Sequence, residues 1–81
     1  MTKAQKPVVE KDDYKIIVTL NGRSATYTND DFAFCDGMEN ATTKRRREEY
    51  SYSIADELFR NGFPKNDARA IADVVARWAV R

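Results

Sequence analysis

Tyr14-Lys15-Ile16-Ile17-Val18-Thr19-Leu20-Asn21-Gly22-Arg23-Ser24-Ala25-Thr26-Tyr27-Thr28 decides the fold. Its first half, Tyr14 to Leu20, is rich in β-branched and aromatic side chains, which suit a pleated, half-buried surface. Asn21-Gly22 then supplies two residues that tolerate positive φ, as a two-residue type I′ turn requires at both centres. Arg23 to Thr28 is the return strand. With Asn21 and Gly22 as turn centres, Leu20 faces Arg23, Val18 faces Ala25 and Ile16 faces Tyr27. Because side chains alternate along a strand, Ile16, Val18, Leu20, Ala25 and Tyr27 form one apolar face. Ile17, Thr19, Ser24 and Thr26 take the other. An isolated hairpin is marginal in water, so the apolar face needs a cover.

The C-terminal half supplies one. Tyr50, Ile54, Ala55, Leu58 and Phe59 recur at helical spacing, which predicts a helix capped by Thr42 or Thr43 and running to about Arg60 or Asn61. Gly62 sits where a left-handed C′ residue belongs. Phe63 provides the hydrophobic contact of a Schellman motif, and Pro64 prevents continuation. A second helix is expected from Asn66 or Asp67 onward, with Ala68, Ile71, Val74, Val75, Trp78 and Ala79 as its apolar stripe. The connection of about four residues predicts an antiparallel pair.

Thr28-Asn29-Asp30-Asp31 looks like a helix start, with acids in the first turn. A short helical turn through Phe32, Phe34 and Cys35, stopped by Asp36-Gly37, is preferred over a third short strand through residues 32–35. Residues 1–13 are polar, contain Pro7 and lack periodicity. They are read as a flexible N-terminal arm, from which Val8 and Val9 could pair with a sheet edge. The expected architecture is α+β: an N-terminal antiparallel β-hairpin packed on a C-terminal antiparallel helix pair, in a single small domain over residues 14–81.

Length and composition agree. Eighty-one residues hold one domain, and a chain this short buries a modest fraction of its surface. The only cysteine is Cys35, so no disulfide framework can form, and between Phe34 and Asp36 it reads as a small buried hydrophobe. Core completion by a homodimer is therefore an option to test. No apolar run is long enough to cross a bilayer, and Met1 to Lys6 do not open a signal peptide. The expected location is cytoplasmic, in a reducing compartment.

The chain contains no histidine, which removes the commonest general base, the commonest metal ligand, and any Ser-His or Cys-His nucleophile pair. The three glycines, Gly22, Gly37 and Gly62, are too far apart to form a phosphate loop. Asp30, Asp31, Asp36 and Glu39 lack the spacing of a calcium loop. Neither catalysis, nor a cofactor, nor a metal is expected.

The sharpest polar feature is Lys44-Arg45-Arg46-Arg47. Net charge is +1 overall, but residues 44–81 carry nine basic and six acidic side chains. Arginine's planar fork suits carboxylate and phosphate, so this run is the leading candidate contact, set against a plain solvated helical turn. Consecutive residues on a helix diverge by about 100°, so three arginines cannot share one groove. Tyr52 falls off the apolar stripe and Trp78 is near the C-terminus. Those two are candidate exposed anchors, with core burial the alternative for Trp78.

Two resemblances are local. Leu58, Gly62, Phe63, Ala68 and Ile71 resemble the first loop of ubiquitin-associated domains, with Asn61 in place of the family's methionine. Over residues 58–71 this is shared helix–turn–helix punctuation. A strand followed by two helices also resembles ribbon-helix-helix repressors, but here Glu39 to Glu49 separate the hairpin from the apolar helix. Neither family is assigned.

These features describe a stoichiometric binder. The expected function is a small non-enzymatic protein-binding module that occupies a partner surface, using Lys44, Arg45, Arg46, Arg47, Tyr52 and Trp78. Its partner would be a protein with an acidic or phosphate-bearing surface, and no membrane. Small single-domain chains of this kind are common among phage and mobile-element accessory inhibitors of host complexes, anti-CRISPR proteins among them. The alternative is a small nucleic-acid-binding protein using the basic helix start Lys44–Arg47.

Overall fold

The computed structural model of the chain describes residues 6–32 and 43–80. It is an α+β arrangement in which a three-stranded antiparallel sheet is followed by two helices. The strands are β1 (Val8–Lys11), β2 (Lys15–Leu20) and β3 (Arg23–Thr28), in the order β1-β2-β3. A 3-10 turn spans Asn29–Phe32, and the helices are α1 (Thr43–Arg60) and α2 (Lys65–Ala79).

The hairpin has the register its turn dictates: Leu20 pairs with Arg23, Val18 with Ala25 and Ile16 with Tyr27. Asn21 has φ 53° and Gly22 φ 81°, the two positive values of a type I′ turn. Ile16, Val18, Leu20, Ala25 and Tyr27 are buried against the helices. On the uncovered side, Thr19 Oγ1 and Ser24 Oγ lie 2.8 Å apart across the strands.

The third strand lies within the expected arm. Val8–Lys11 pairs antiparallel with β2, Val9 opposite Val18 and Lys11 opposite Ile16. All four of its residues are exposed, as befits an edge strand beyond the cover of the helices. Its turn into β2 is held by Asp12, whose carboxylate accepts the N–H groups of Tyr14 and Lys15, each at 2.8 Å. These donors, that of Lys15 first, hold the Asp12 carboxyl below its ordinary value. Trp78 closes the structure over this turn, its indole N–H donating to the Asp12 carbonyl at 2.9 Å.

After β3, Asp31 reaches back to accept the Thr28 N–H at 2.7 Å, as an acidic residue in a capping box does. Phe32 ends the 3-10 turn and inserts its ring among Tyr27, Tyr50 and Trp78, with centroid separations of 6.1, 5.3 and 6.3 Å. Phe32 thus belongs to a helical turn. Phe34, Cys35, the Asp36-Gly37 stop and the Thr42 cap lie outside the described residues.

Helix α1 ends in a complete Schellman motif. Gly62 has φ 97°, its N–H bonds to the Phe59 carbonyl, and the Phe63 N–H bonds to the Leu58 carbonyl at 3.0 Å. Helix α2 starts at Lys65, one residue before Asn66, because the Pro64 carbonyl already accepts the Ala68 N–H at 2.8 Å. Asn21 at the hairpin tip donates to both carboxylate oxygens of Asp67, tying the turn to the first turn of α2.

Helix α2 packs on both β2 and α1, whereas α1 leans mainly on α2. The buried arcs differ accordingly. On α2, Ala68, Ile71, Ala72, Val75, Ala76 and Trp78 are buried, and Val80 follows just beyond its end. Among the described residues of α1, those buried are Tyr50, Ile54 and Leu58, a narrow row at spacing four. Ala55 is half-buried and Phe59 is exposed, although both belong to the expected apolar stripe. The reason is geometric: a helix with one principal neighbour buries one ridge.

Candidate functional site

The outer side of the helix pair, away from the sheet, holds a groove. One wall is the α1 ridge bearing Lys44, Glu48, Tyr52 and Asp56, and the other is the α2 ridge bearing Lys65, Arg69, Asp73 and Arg77. Each ridge repeats every four residues, as the rows of a helix surface do. Small side chains, among them Ser51, Ala55 and Ala68, lie between the walls. Phe59 also faces the groove.

Two large aromatics stand open in it. Tyr52 is 80% exposed and Phe59 is 56% exposed. Full burial of a side chain such as Phe is worth about 1.5–3 kcal/mol, so Phe59 gives up much of that gain within the domain. The candidate anchor Tyr52 is thus accessible, and Phe59 joins it seven residues on, about two helical turns along the same side of α1.

The basic run divides by the helical screw. Lys44 and Arg47 line the groove. Arg47 also donates to the Val80 carbonyl at 3.4 Å, a cation at the C-terminal end of α2 where free carbonyls and the helix dipole favour it. Arg46 lies one turn before Tyr50, on the buried row, and its Nε is out of solvent with no hydrogen-bond partner. Arg45 is exposed but does not line the groove. Lys44 to Arg47 therefore do not form one patch.

Trp78 is not an exposed anchor. It is 4% exposed, with its ring against Phe32 and its N–H on the Asp12 carbonyl. Its position close to the C-terminus does not expose it, because the β1–β2 turn folds over that end of α2.

The charge of the groove comes from both helices. Lys44, Arg47, Lys65, Arg69 and Arg77 stand against Glu48, Asp56 and Asp73, a net of +2. Asp73 pairs with Arg77 at 3.3 Å, and Asp56 pairs with Arg60 at 3.1 Å, both in solvent. Lys44, Lys65 and Arg69 form no ion pair among the described residues. The sequence assigns Phe59 to the core-facing stripe and gives Lys65, Arg69 and Arg77 no binding role. The available signal was the second apolar row, Tyr52, Ala55 and Phe59 at i, i+3 and i+7, beside the one that forms the core.

Among the described residues no cluster of three or more histidine, cysteine or carboxylate side chains could hold a metal ion. No described helix is long and apolar enough to cross a membrane. Comparison of the chain with protein-family models, with curated proteins and with solved structures finds no match.

Proposed function

We propose that this chain is a non-enzymatic protein-binding module that acts by occupying a partner's surface, with the outer groove of α1 and α2 as the contact. The observation that carries this reading is the pairing of Tyr52 and Phe59, both open to solvent in one groove with a net positive lining. Aromatic anchors in a depression, ringed by polar groups, are the usual energetic centre of a protein interface. The rim cations would speed association with an acidic surface, while the aromatics would set the lifetime of the complex.

Nucleic acid is the weaker reading. Glu48, Asp56 and Asp73 interrupt the cations along the groove, which a regularly charged phosphate backbone cannot avoid and a protein surface with separated acidic groups can.

Affinity capture from the cells that express the chain tests the reading. Wild-type protein is compared with Tyr52→Ala/Phe59→Ala at matched expression. The double variant is expected to lose the co-purifying protein at least about tenfold, since two anchors are worth well over 1.4 kcal/mol. Equal recovery of the same protein by both forms, or recovery of nucleic acid alone, would overturn the proposal.

A further inference from the structure

The groove has the dimensions and charge layout for one kind of occupant, and this inference rests on the proposed binding role. We infer that the partner presents an amphipathic α-helix, apolar along one stripe and acidic at both ends, which lies in the α1–α2 groove as a third helix.

Shape is the first argument. The groove is the furrow between two packed antiparallel helices, bounded by one i±4 ridge from each. A furrow of this kind accepts the ridge of another helix, and small residues between the walls let its axis come close. Lys44 to Phe59 rises about 22 Å along α1, so a partner helix of about four turns spans it. Tyr52 and Phe59 are separated by about 10.5 Å along the axis, the i to i+7 spacing of apolar residues on one helical face.

Charge is the second argument, and it selects the occupant. Because α2 runs antiparallel to α1, Lys65 and Arg69 lie at the Phe59 end of the groove. Lys44, Arg47 and Arg77 lie at the other, where Arg47 reaches the Val80 carbonyl. Glu48 stands beside Arg47 at that end, and Asp56 and Asp73, the latter paired with Arg77 at 3.3 Å, occupy the stretch between. The groove is positive at both ends and mixed in the middle. A helix with carboxylates at its two ends complements it, whereas the groove of a second copy of this chain, itself net positive, does not.

The probe is a synthetic four-turn helical peptide, with leucines on one stripe and glutamates at both ends, titrated into isotopically labelled full-length protein. Amide shifts are expected at Tyr52, Phe59, Lys65 and Arg69. A peptide with lysine in place of glutamate should bind at least about tenfold more weakly, and a scrambled peptide with no apolar stripe should do the same. Lys65→Glu/Arg69→Glu reverses one end of the groove and leaves the other cationic, so it should remove most of the preference for the acidic peptide, an outcome that a purely structural role for these residues does not produce. Equal binding of the acidic and basic peptides, shifts confined to the sheet, or tighter binding of a single-stranded oligonucleotide at the same residues would each overturn the inference. So would self-association of the protein through these residues. If cellular capture depends on Tyr52 and Phe59 while the acidic helix does not bind, this inference fails and the binding role stands. If capture is indifferent to both aromatics, the binding role itself fails.

Discussion

Gly62→Ala isolates the joint that sets α1 against α2. Gly62 has φ 97°, and a Cβ built on it meets no atom within 4 Å. The substitution therefore adds no clash, and its cost is the backbone conformation alone. Holding an L-residue in the left-handed region costs about 1–2 kcal/mol. Alanine also restricts the unfolded chain, which returns about 0.4–1 kcal/mol. The net expectation is a destabilisation of about 1 kcal/mol, or a fall in Tm of about 4–8 °C for a domain of this size. Trp78 is the only tryptophan and is buried, so its fluorescence reports unfolding in urea or on heating. Gly62→Asn should cost less than Gly62→Ala, because asparagine tolerates this region better, and Gly62→Val should cost more. If alanine and asparagine are equal and neutral, Gly62 is not the left-handed C′ residue. A loss above about 3 kcal/mol would mean that the space around it is occupied, and the reasoning would fail on its other premise.

The remaining predictions separate core from surface. Ile71 is fully buried, so Ile71→Ala should cost about 2–5 kcal/mol in denaturant unfolding, whereas Tyr52→Ala should stay within about 0.5 kcal/mol. Asn21 and Asp67 meet in solvent, so a double-mutant cycle using Asn21→Gly, which keeps the turn conformation, and Asp67→Ala should give a coupling of about 0.5–1 kcal/mol. Asp12 has a folded pKa below its ordinary 3.8, so its stabilising contribution is present above that value and is lost as pH falls through the folded one. Asp12→Asn removes that titration, so its stability deficit relative to wild type should shrink below about pH 4 in acid-unfolding curves.

The hairpin was legible in the sequence because two local signals agreed. Asn21-Gly22 fixed the turn, the turn fixed the register, and period-two alternation then assigned each side chain to a face. The second helix was legible for a related reason. Its neighbours are β2 and α1, so its buried arc is broad and its apolar spacing is unambiguous. β1 was only faintly legible: Val8 and Val9 stand among polar residues, and the strand is held by backbone pairing with β2 and the Asp12 turn rather than by burial. Such an edge leaves little compositional trace. Trp78 had two readings from sequence, and only the β1–β2 turn folded over it separates them. Phe59 was the clear misassignment. Ile54-Ala55 and Leu58-Phe59 look like one wide stripe, but the width of a buried stripe depends on how many elements pack against the helix, and the periodicity of a single segment does not contain that number.

The same dependence on neighbours governs the basic run. Along the chain Lys44, Arg45, Arg46 and Arg47 are one feature; on the helix only Lys44 and Arg47 share a side, and the four meet different environments. Lys44 faces the groove. Arg45 faces away from it. Arg46 continues the row of Tyr50, Ile54 and Leu58, so a carboxylate there would sit against the core and unfold part of α1 before reporting on any partner. Arg47 serves the groove and the C-terminal end of α2 together, so its loss perturbs both. Replacing the three arginines by glutamate at once would therefore mix a lost contact, a lost helix-end interaction and a carboxylate at a half-buried position in one phenotype. Lys65 and Arg69 carry the same electrostatic question without that entanglement. Both are exposed on the outer ridge of α2 and form no ion pair among the described residues, so charge reversal there changes the field of the groove and leaves the core as it was.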